Sequence, residues 1–392
     1  MKGLTATQQR LRRQVREFVA ERIVPLEEGL DPDESDLDAA TLASLVVETK
    51  AMGLYNYDVP AEHGGPGLDT VTITVLAMEM SQHRAGLYAP CYGAFGPSGF
   101  AQLYDASPEQ RERFLYPALR GEQRVFFGLT EPAGGSDPAQ AIATTAVRDG
   151  DDWVLNGTKI FIGEAHRADF GLVFARTGGP GRDGISCFVV ETTRPGFEVV
   201  RAIHTLRAGT TPNEIRFTNV RVPHENLIGE EGGGFALANA ALVRIRIPYS
   251  AACVGLAVAS QSLVLEHVKR RTVFGKTLAE HEGVQWMLCD NDWDIHAASL
   301  QVLYAASRAD EGLSFRRETA LAKIAATEGS ARVVDRSMQL FGAWGMAKDL
   351  PFERWYRELR IRRVGEGTTE TQRMVIARDL LRAPTYTTLW ED

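Results

Sequence analysis

Cysteine is scarce in this 392-residue chain, which has only Cys91, Cys187, Cys253 and Cys289. They lie 96, 66 and 36 positions apart, and no two form a C-x-x-C pair. That spacing excludes a zinc ribbon and a disulfide framework and points to a reducing, cytoplasmic setting. Basic residues are also in deficit: 43 Lys and Arg against 51 Asp and Glu leave a net charge of −8. Phosphate neutralisation needs clustered cations, so nucleic acid and anionic membranes are excluded as partners. The opening M-K-G-L-T-A-T-Q-Q-R lacks an apolar core, and no signal peptide is expected. One long uncharged run exists, the 19 residues from Ile247 to Leu265. It holds Pro248, three serines and Gln261, which suits a helix buried on all sides of a bundle better than a membrane span. No H-E-x-x-H occurs, because His281-Glu282 continues to Gln285, and no metal site is expected.

The rest is ordinary globular protein, 44% hydrophobic and 24% charged, long enough for two or three domains. Residues 1–125 read as a helical segment. Thr5 and Gln8 make a capping box, Leu11, Val15, Phe18 and Val19 share a helical face, and Pro25 is expected to stop that helix. Helical periodicity resumes from Val71 to Met80. Residues 126–234 change character: W-V-L, K-I-F-I, G-L-V-F-A and I-S-C-F-V-V alternate with turns at Asp149-Gly150, Asn156-Gly157, Gly178-Gly179 and Asp183-Gly184. Short β-rich runs between two-residue glycine turns predict antiparallel hairpins. From 235 to 392 helix returns, with Val284, Leu288, Ile295, Ala298 and Val302 at helical spacing and a last helix capped by Thr369 and Gln372. The fold class is mainly α with a β insert.

Two nucleotide-like motifs fail on context. Gly179, Gly181 and Gly184 satisfy G-x-G-x-x-G but lead into a strand, not the helix N-terminus that holds a pyrophosphate. Gly275-Lys276-Thr277 resembles a P-loop ending, but Arg270 stands at the first glycine position and a helix precedes it.

Three segments carry chemistry. G-L-T-E-P-A-G-G-S-D (Gly128 to Asp137) offers backbone N–H groups and the hydroxyls of Thr130 and Ser136. Such a turn can cradle a phosphate or a heterocycle edge, or be a plain strand-to-loop turn capped by Ser136. R-T-V-F-G-K-T-L (Arg271 to Leu278) sets an arginine ahead of an aromatic, suited to a phosphate and a flat ring, or to a solvated helix end. Q-L-F-G-A-W-G-M (Gln339 to Met346) leads on to G-E-G-T, where Glu366 is a carboxylate between two glycines. That carboxylate can approach a ligand closely or be an exposed loop residue.

In this order, together with P-A-E-H-G-G-P-G-L (Pro60 to Leu68) and F-T-N-V-R-V-P-H-E-N-L-I-G-E-E-G-G-G-F (Phe217 to Phe235), these segments resemble the acyl-CoA dehydrogenase family over nearly the whole chain. The resemblance implies a helical N-terminal domain, a β-barrel-like middle domain and a C-terminal four-helix bundle. It also implies non-covalent FAD, oxidation of acyl thioesters to trans-2-enoyl thioesters, a homotetramer or dimer, and an electron-transfer flavoprotein as acceptor.

By position, Glu366 matches the family's base, removing the α-proton while the β-hydrogen leaves as hydride to the flavin. Phe127, Leu129, Thr130 and Ser136 match the flavin-contacting turn, with Ser136 also toward the CoA moiety. Phe161 and Ile162 match the strand whose aromatic lies against the flavin. Arg271, Phe274 and His281 match contacts to FAD across a subunit interface, as do Gln339, Gly342 and Ala343. Thr368 and Glu370 match contacts after the base, and Arg246 and Gly367 match substrate-side positions. Ile245 stands where one branch of the family carries its base, which leaves Glu366 as the candidate.

Four departures set further expectations. Gly163 and Glu164 replace a hydroxyl residue and Asn after the flavin-side aromatic. Val243 replaces an acidic residue or Asn, keeping an acyl carrier protein thioester open as the substrate. Ala343 replaces a glycine. Gly365 replaces a bulky aromatic before the base and is expected to widen the pocket. An oxidase or N-oxygenase on the same scaffold and a non-catalytic partner subunit are the competing readings; N-oxygenation has no evident use for a base at Glu366, and the retention of Arg271, Gln339 and Glu366 weighs against a non-catalytic subunit.

Overall fold

The computed structural model describes residues 3–97, 101–207, 209, 211–383 and 385. The last residues of the C-terminal segment expected to reach 392 therefore lie partly outside the described residues.

In chain order, the helices begin with α1 (Ala6–Phe18), α2 (Val24–Glu27), α3 (Ala39–Ala51) and α4 (Thr70–Met80), followed by the short α5 (Pro108–Gln110), α6 (Tyr116–Leu119) and α7 (Pro138–Ala141). After the large sheet come three long helices, α8 (Gly234–Arg270), α9 (Glu282–Asp310) and α10 (Arg316–Phe341), and two shorter ones, α11 (Phe352–Arg362) and α12 (Thr369–Arg382). The strands are β1 (Val125–Gly128), β2 (Thr145–Asp149), β3 (Asp152–Ile162), β4 (Phe170–Arg176), β5 (Ile185–Glu191), β6 (Phe197–Ala202), β7 (Asn213–Pro223) and β8 (Leu227–Ile228), with a small hairpin of β9 (Thr272–Val273) and β10 (Lys276–Thr277). Mainly helical with one sheet in the middle, the chain has the expected class. Contacts divide it into a helical unit (1–37, 68–92 and 246–392) and a sheet unit (38–67 and 93–245).

In the sheet unit the strands run β6-β7-β3-β2-β4-β5-β8, with β1 beside β4. Most pairs are antiparallel as expected, but β4 pairs in parallel with both β1 and β2. The central strands β4 and β5 are buried on both faces. Phe170, Leu172 and Phe174 enter one apolar cluster, whereas Val173, Ala175, Phe188 and Val190 enter the other. Such runs read as continuously hydrophobic because neither face meets water. One expected turn is absent. Asn156-Gly157 lies inside β3, joining W-V-L and K-I-F-I in a single strand with a bulge between Leu155 and Gly157. Gly157 takes φ 154°, where a Cβ would strike Thr144, and the Asn156 carboxamide pairs with Asn219 on β7. The Asn-Gly signal marks a bulge here, which uses glycine for the same reason a turn does.

In the helical unit the Thr5–Gln8 capping box opens α1, and Leu11, Val15 and Phe18 are buried. Pro25 does not stop the helix. A π turn over Val19–Ile23 precedes it, and the chain stays helical through Glu27. The wider turn accommodates the bond that proline cannot donate; Pro117 follows a π turn over Arg111–Leu115 in the same way. The last helix is capped by Thr368, one residue before the expected Thr369, and its hydroxyl accepts from the Thr371 amide. α8 is long and apolar enough to cross a bilayer, and half of its most apolar window is buried in the protein. It is buried at every position from Ser250 to Ala257, but Ser262 and Leu265 lie open, so burial on all sides covers only its middle. Polar clasps lock the long helices: Ser260 bonds Ser337 at 2.7 Å, and Asp294 accepts from Arg336 at 2.9 Å.

One buried polar knot organises the N-terminal part of this unit. The Glu27 carboxylate accepts from His83 Nδ1 (2.8 Å), the amides of Arg84 (2.8 Å) and Ala85 (3.0 Å) and the Tyr92 hydroxyl (2.9 Å). Burial opposes its ionisation, but His83 and the amides prevail and hold its pKa at about 2. A carboxylate with a lowered folded pKa stabilises above its ordinary range and loses that contribution as pH falls toward 2. Glu27→Gln is expected to remove roughly 3–5 kcal/mol and to flatten the acid limb of stability. Thermal melts of both proteins across acid pH check it.

Candidate active site

The loop between α11 and α12 carries Glu366 in the helical unit. Glu366 takes φ 56° and Gly367 φ 89°, two left-handed residues in succession. For a glutamate this geometry costs roughly 1–3 kcal/mol and persists only where its surroundings impose it. They do so here by holding the loop's carbonyls. Arg246 on α8 donates from Nε to the Glu366 carbonyl oxygen at 2.7 Å. Gln372 on α12 donates to the Gly367 carbonyl at 3.1 Å, and the Val364 and Gly365 amides each donate to the Ile361 carbonyl at 2.9 Å. Both Glu366 and Arg246 are half-buried.

Where the loop leaves α11, the Arg362 carbonyl accepts from Lys323 Nζ of α10 at 3.2 Å and from the Tyr249 hydroxyl of α8 at 3.3 Å. The buried Arg362 guanidinium lies 3.9 Å from the Tyr249 ring centre and 4.9 Å from that of Tyr88, and it donates to the Leu87 carbonyl. Three cations thus surround one carboxylate. Burial pushes the Glu366 pKa up, against the pull of Arg246, Arg362 and Lys323. Burial also lowers Lys323 to about 8. A carboxylate raised toward working pH yet still ionisable is suited to accept a proton from carbon.

Gly365 does not widen this site as expected. A Cβ there would stand 2.8 Å from the Tyr249 hydroxyl oxygen, so the phenol already fills the missing side chain's place.

The structure groups the other candidates by unit. In the sheet unit the turn after β1 and the end of β3 are joined: the Ile160 amide donates to the Thr130 carbonyl at 2.9 Å. Buried Lys159 spans from the Leu129 carbonyl (3.2 Å) to the Glu131 carboxylate (2.7 Å) and the Phe174 carbonyl (2.6 Å). Glu131 in turn accepts from the Ala143 and Thr144 amides. Leu129 and Ile162 point into the core and offer only backbone. Phe127 packs on Phe174, and Ser136 is exposed. Phe161 is the informative one, 56% exposed on a left-handed backbone. Glu164 beyond it is bound by Arg167 and supplies no hydroxyl.

In the helical unit β9 and β10 meet through Phe274 and Gly275, both at positive φ, which leaves Phe274 98% exposed. His281 Nε2 stands 3.3 Å from the Val273 carbonyl, and Arg271 is exposed. Leu278 and Leu340 share a cluster with Val264 and Val268, which brings this hairpin to the end of α10 where Gln339, Gly342 and Ala343 are exposed. Glu370 is exposed on α12 and Thr368 caps it. Each unit taken alone fits its share of FAD: aromatic rings held outward on strained backbone for a flat heterocycle, and an exposed guanidinium for phosphate.

Sequence reasoning missed Lys323, Arg362, Tyr249 and Lys159. Lys323 was legible as a lone charge in the small-residue run A-L-A-K-I-A-A, where a buried amine needs a purpose. The other three show no local signal.

Known proteins agree with this layout. The chain matches the descriptions "Acyl-CoA dehydrogenase, N-terminal domain" over residues 5–122, "middle domain" over 126–220 and "C-terminal domain" over 232–381. It is 35% identical over 387 residues to the short-chain specific acyl-CoA dehydrogenase, mitochondrial, of Rattus norvegicus, covering 97% of this chain and 91% of that one. The butyryl-CoA dehydrogenase of Megasphaera elsdenii superposes with a TM-score of 0.86 at 30% identity, over 97% of this chain and 100% of that one. A chain solved in work on the electron transferring flavoprotein of Acidaminococcus fermentans superposes with a TM-score of 0.87 at 31% identity, over 98% and 100%.

Removing the Lys323 charge lifts one restraint on the Glu366 pKa. Lys323→Met is expected to move the acid limb of the kcat/KM profile to higher pH, because more of the carboxyl stays protonated. The profile measured with wild type and variant side by side checks it.

Proposed function

Because the chain belongs to the acyl-CoA dehydrogenase family, we propose that it oxidises acyl-CoA to trans-2-enoyl-CoA with bound FAD, Glu366 serving as the base. The observation that carries this reading is the left-handed Glu366 loop, its carbonyl held by Arg246 at 2.7 Å beneath a carboxylate whose pKa burial raises. When bound, FAD supplies the acceptor for the hydrogen leaving the β-carbon. Glu366 takes the α-proton on its carboxylate. Its backbone N–H is assigned to the thioester oxygen, which gathers charge as that proton leaves. Arg246 fixes the loop so that carboxylate and amide face one substrate. Thr130, Ser136, Phe161 and Ile162 would hold the cofactor in the sheet unit; Arg271, Phe274, His281, Gln339, Gly342, Ala343, Thr368 and Glu370 would do so in the helical unit.

The short-chain and butyryl-CoA specificities named for two relatives support a short acyl group on coenzyme A. An electron-transferring flavoprotein is the proposed acceptor, supported by the likeness to a chain solved in the work on such a protein. A homotetramer is supported by an apolar stripe on α9, where Trp286, Trp293 and Leu300 repeat every seventh residue and all stand exposed. A cytoplasmic setting is supported by four free cysteines.

Two tests separate these claims. In an anaerobic titration the yellow wild type is expected to bleach with a short-chain acyl-CoA. Glu366→Gln should bind the same ligand yet bleach roughly 10²- to 10⁴-fold more slowly. A variant that bleaches at the wild-type rate removes Glu366 from the mechanism. By light scattering, Trp293→Glu is expected to give a smaller particle than wild type.

A further inference from the structure

Beyond its bond to the Arg362 carbonyl at the start of the loop, Tyr249 takes no part in the proton or hydride transfer. It lies three residues after Arg246 on α8, so the helix that holds the Glu366 carbonyl presents both side chains on adjoining positions of one face. Its hydroxyl oxygen stands 2.8 Å from where a Gly365 side chain would begin, and the ring carbon bearing it stands 3.8 Å away. The residue immediately before the base therefore adds no bulk of its own, and Tyr249 supplies it from another helix.

The ring is held from several sides. The Arg362 guanidinium covers it at 3.9 Å from the ring centre, Lys323 Nζ lies 5.7 Å from that centre, and the hydroxyl donates to the Arg362 carbonyl at 3.3 Å. A ring in contact with two buried cations and bonded to a carbonyl cannot swing aside without losing a cation–π contact and a hydrogen bond. Burial pushes the phenol pKa up, so it remains a neutral, fixed wall.

We propose that Tyr249 is a specificity-determining residue: its ring, clamped by Arg362 and lodged in the volume beside Gly365, limits the bulk an acyl thioester carries at the carbon whose proton Glu366 removes, selecting chains unbranched there. The proposal rests on the dehydrogenase reading and deepens it. An extra methyl group against a fixed wall is discriminated by roughly 10- to 200-fold, so the effect is within reach of steady-state kinetics.

The test compares kcat/KM of the FAD-loaded enzyme for 2-methylbutyryl-CoA and for butyryl-CoA, as a ratio. Tyr249→Val is expected to raise that branched-to-linear ratio roughly tenfold or more, whereas Tyr249→Phe keeps the wall and the ratio. Gly365→Ala drives a methyl group against the hydroxyl oxygen; its melting temperature and its ratio should both fall. Adding Tyr249→Phe removes that oxygen, leaves an ordinary 3.8 Å contact, and should restore both. The melting half of this cycle needs no turnover, and the pair carries the test should Tyr249→Val fail to fold. A folded Tyr249→Val with an unchanged ratio overturns the proposal, as does a Gly365→Ala defect that Tyr249→Phe leaves untouched. A wild type that no acyl-CoA bleaches overturns the dehydrogenase reading and this proposal with it, whereas bleaching with an unchanged ratio overturns this proposal alone.

Discussion

The carboxylate of Glu366 stands where it does because a backbone that side-chain residues avoid is held by a side chain from another helix. The Arg246 guanidinium reaches the Glu366 carbonyl at 2.7 Å, 120 residues away in sequence, and keeps φ at 56°. Without that bond the loop loses the restraint nearest the left-handed residue, and a more mobile carboxylate loses some of the effective concentration that makes a weak base useful against a weak carbon acid. The other loop bonds serve the same end. Lys323 and Tyr249 fix the carbonyl of Arg362 where the loop begins, and Gln372 fixes that of Gly367 where it ends.

The same residues set the electrostatics. Burial raises the Glu366 pKa, and the three cations pull against that rise. Arg246, Arg362 and Lys323 around a half-buried carboxylate balance the two tendencies. Lys323, lowered to about 8 by burial, is the softest of the three charges. The clamp on the loop and the tuning of the base are therefore one set of side chains, drawn from α8, α10 and α11. In the sheet unit Lys159 plays a comparable part, tying the turn at Leu129 to Glu131 and Phe174 from within β3.

Much of this was legible in the sequence, wherever the deciding physics is local. The Thr5–Gln8 box and the apolar face of Leu11, Val15 and Phe18 depend on neighbours within two turns, and all appear as read. Glu366 between glycines, with Arg246 upstream, was visible through ordered motifs at family spacing. What escaped depends on partners distant in sequence or on one residue serving two geometries. Asn156-Gly157 forms a bulge because Asn219 sits across from it, and Pro25 rides on a π turn that no propensity announces. Gly365 read as empty space because nothing local says that Tyr249, more than a hundred residues earlier, fills it. The burial of Lys323 and Arg362 emerges only when α8, α10 and α11 are packed together.

The account turns on the geometry of the Arg246 bond rather than on its charge, and Arg246→Lys separates the two, because lysine keeps the charge without the rigid fork. The direct measurement is the rate of flavin reduction in anaerobic stopped flow, with butyryl-CoA carrying hydrogen or deuterium at the α-carbon. Reduction slowed by roughly 10²-fold, with substrate affinity changed only a few-fold and a full α-deuterium effect, is the predicted result. Reduction at the wild-type rate in Arg246→Lys would contradict it.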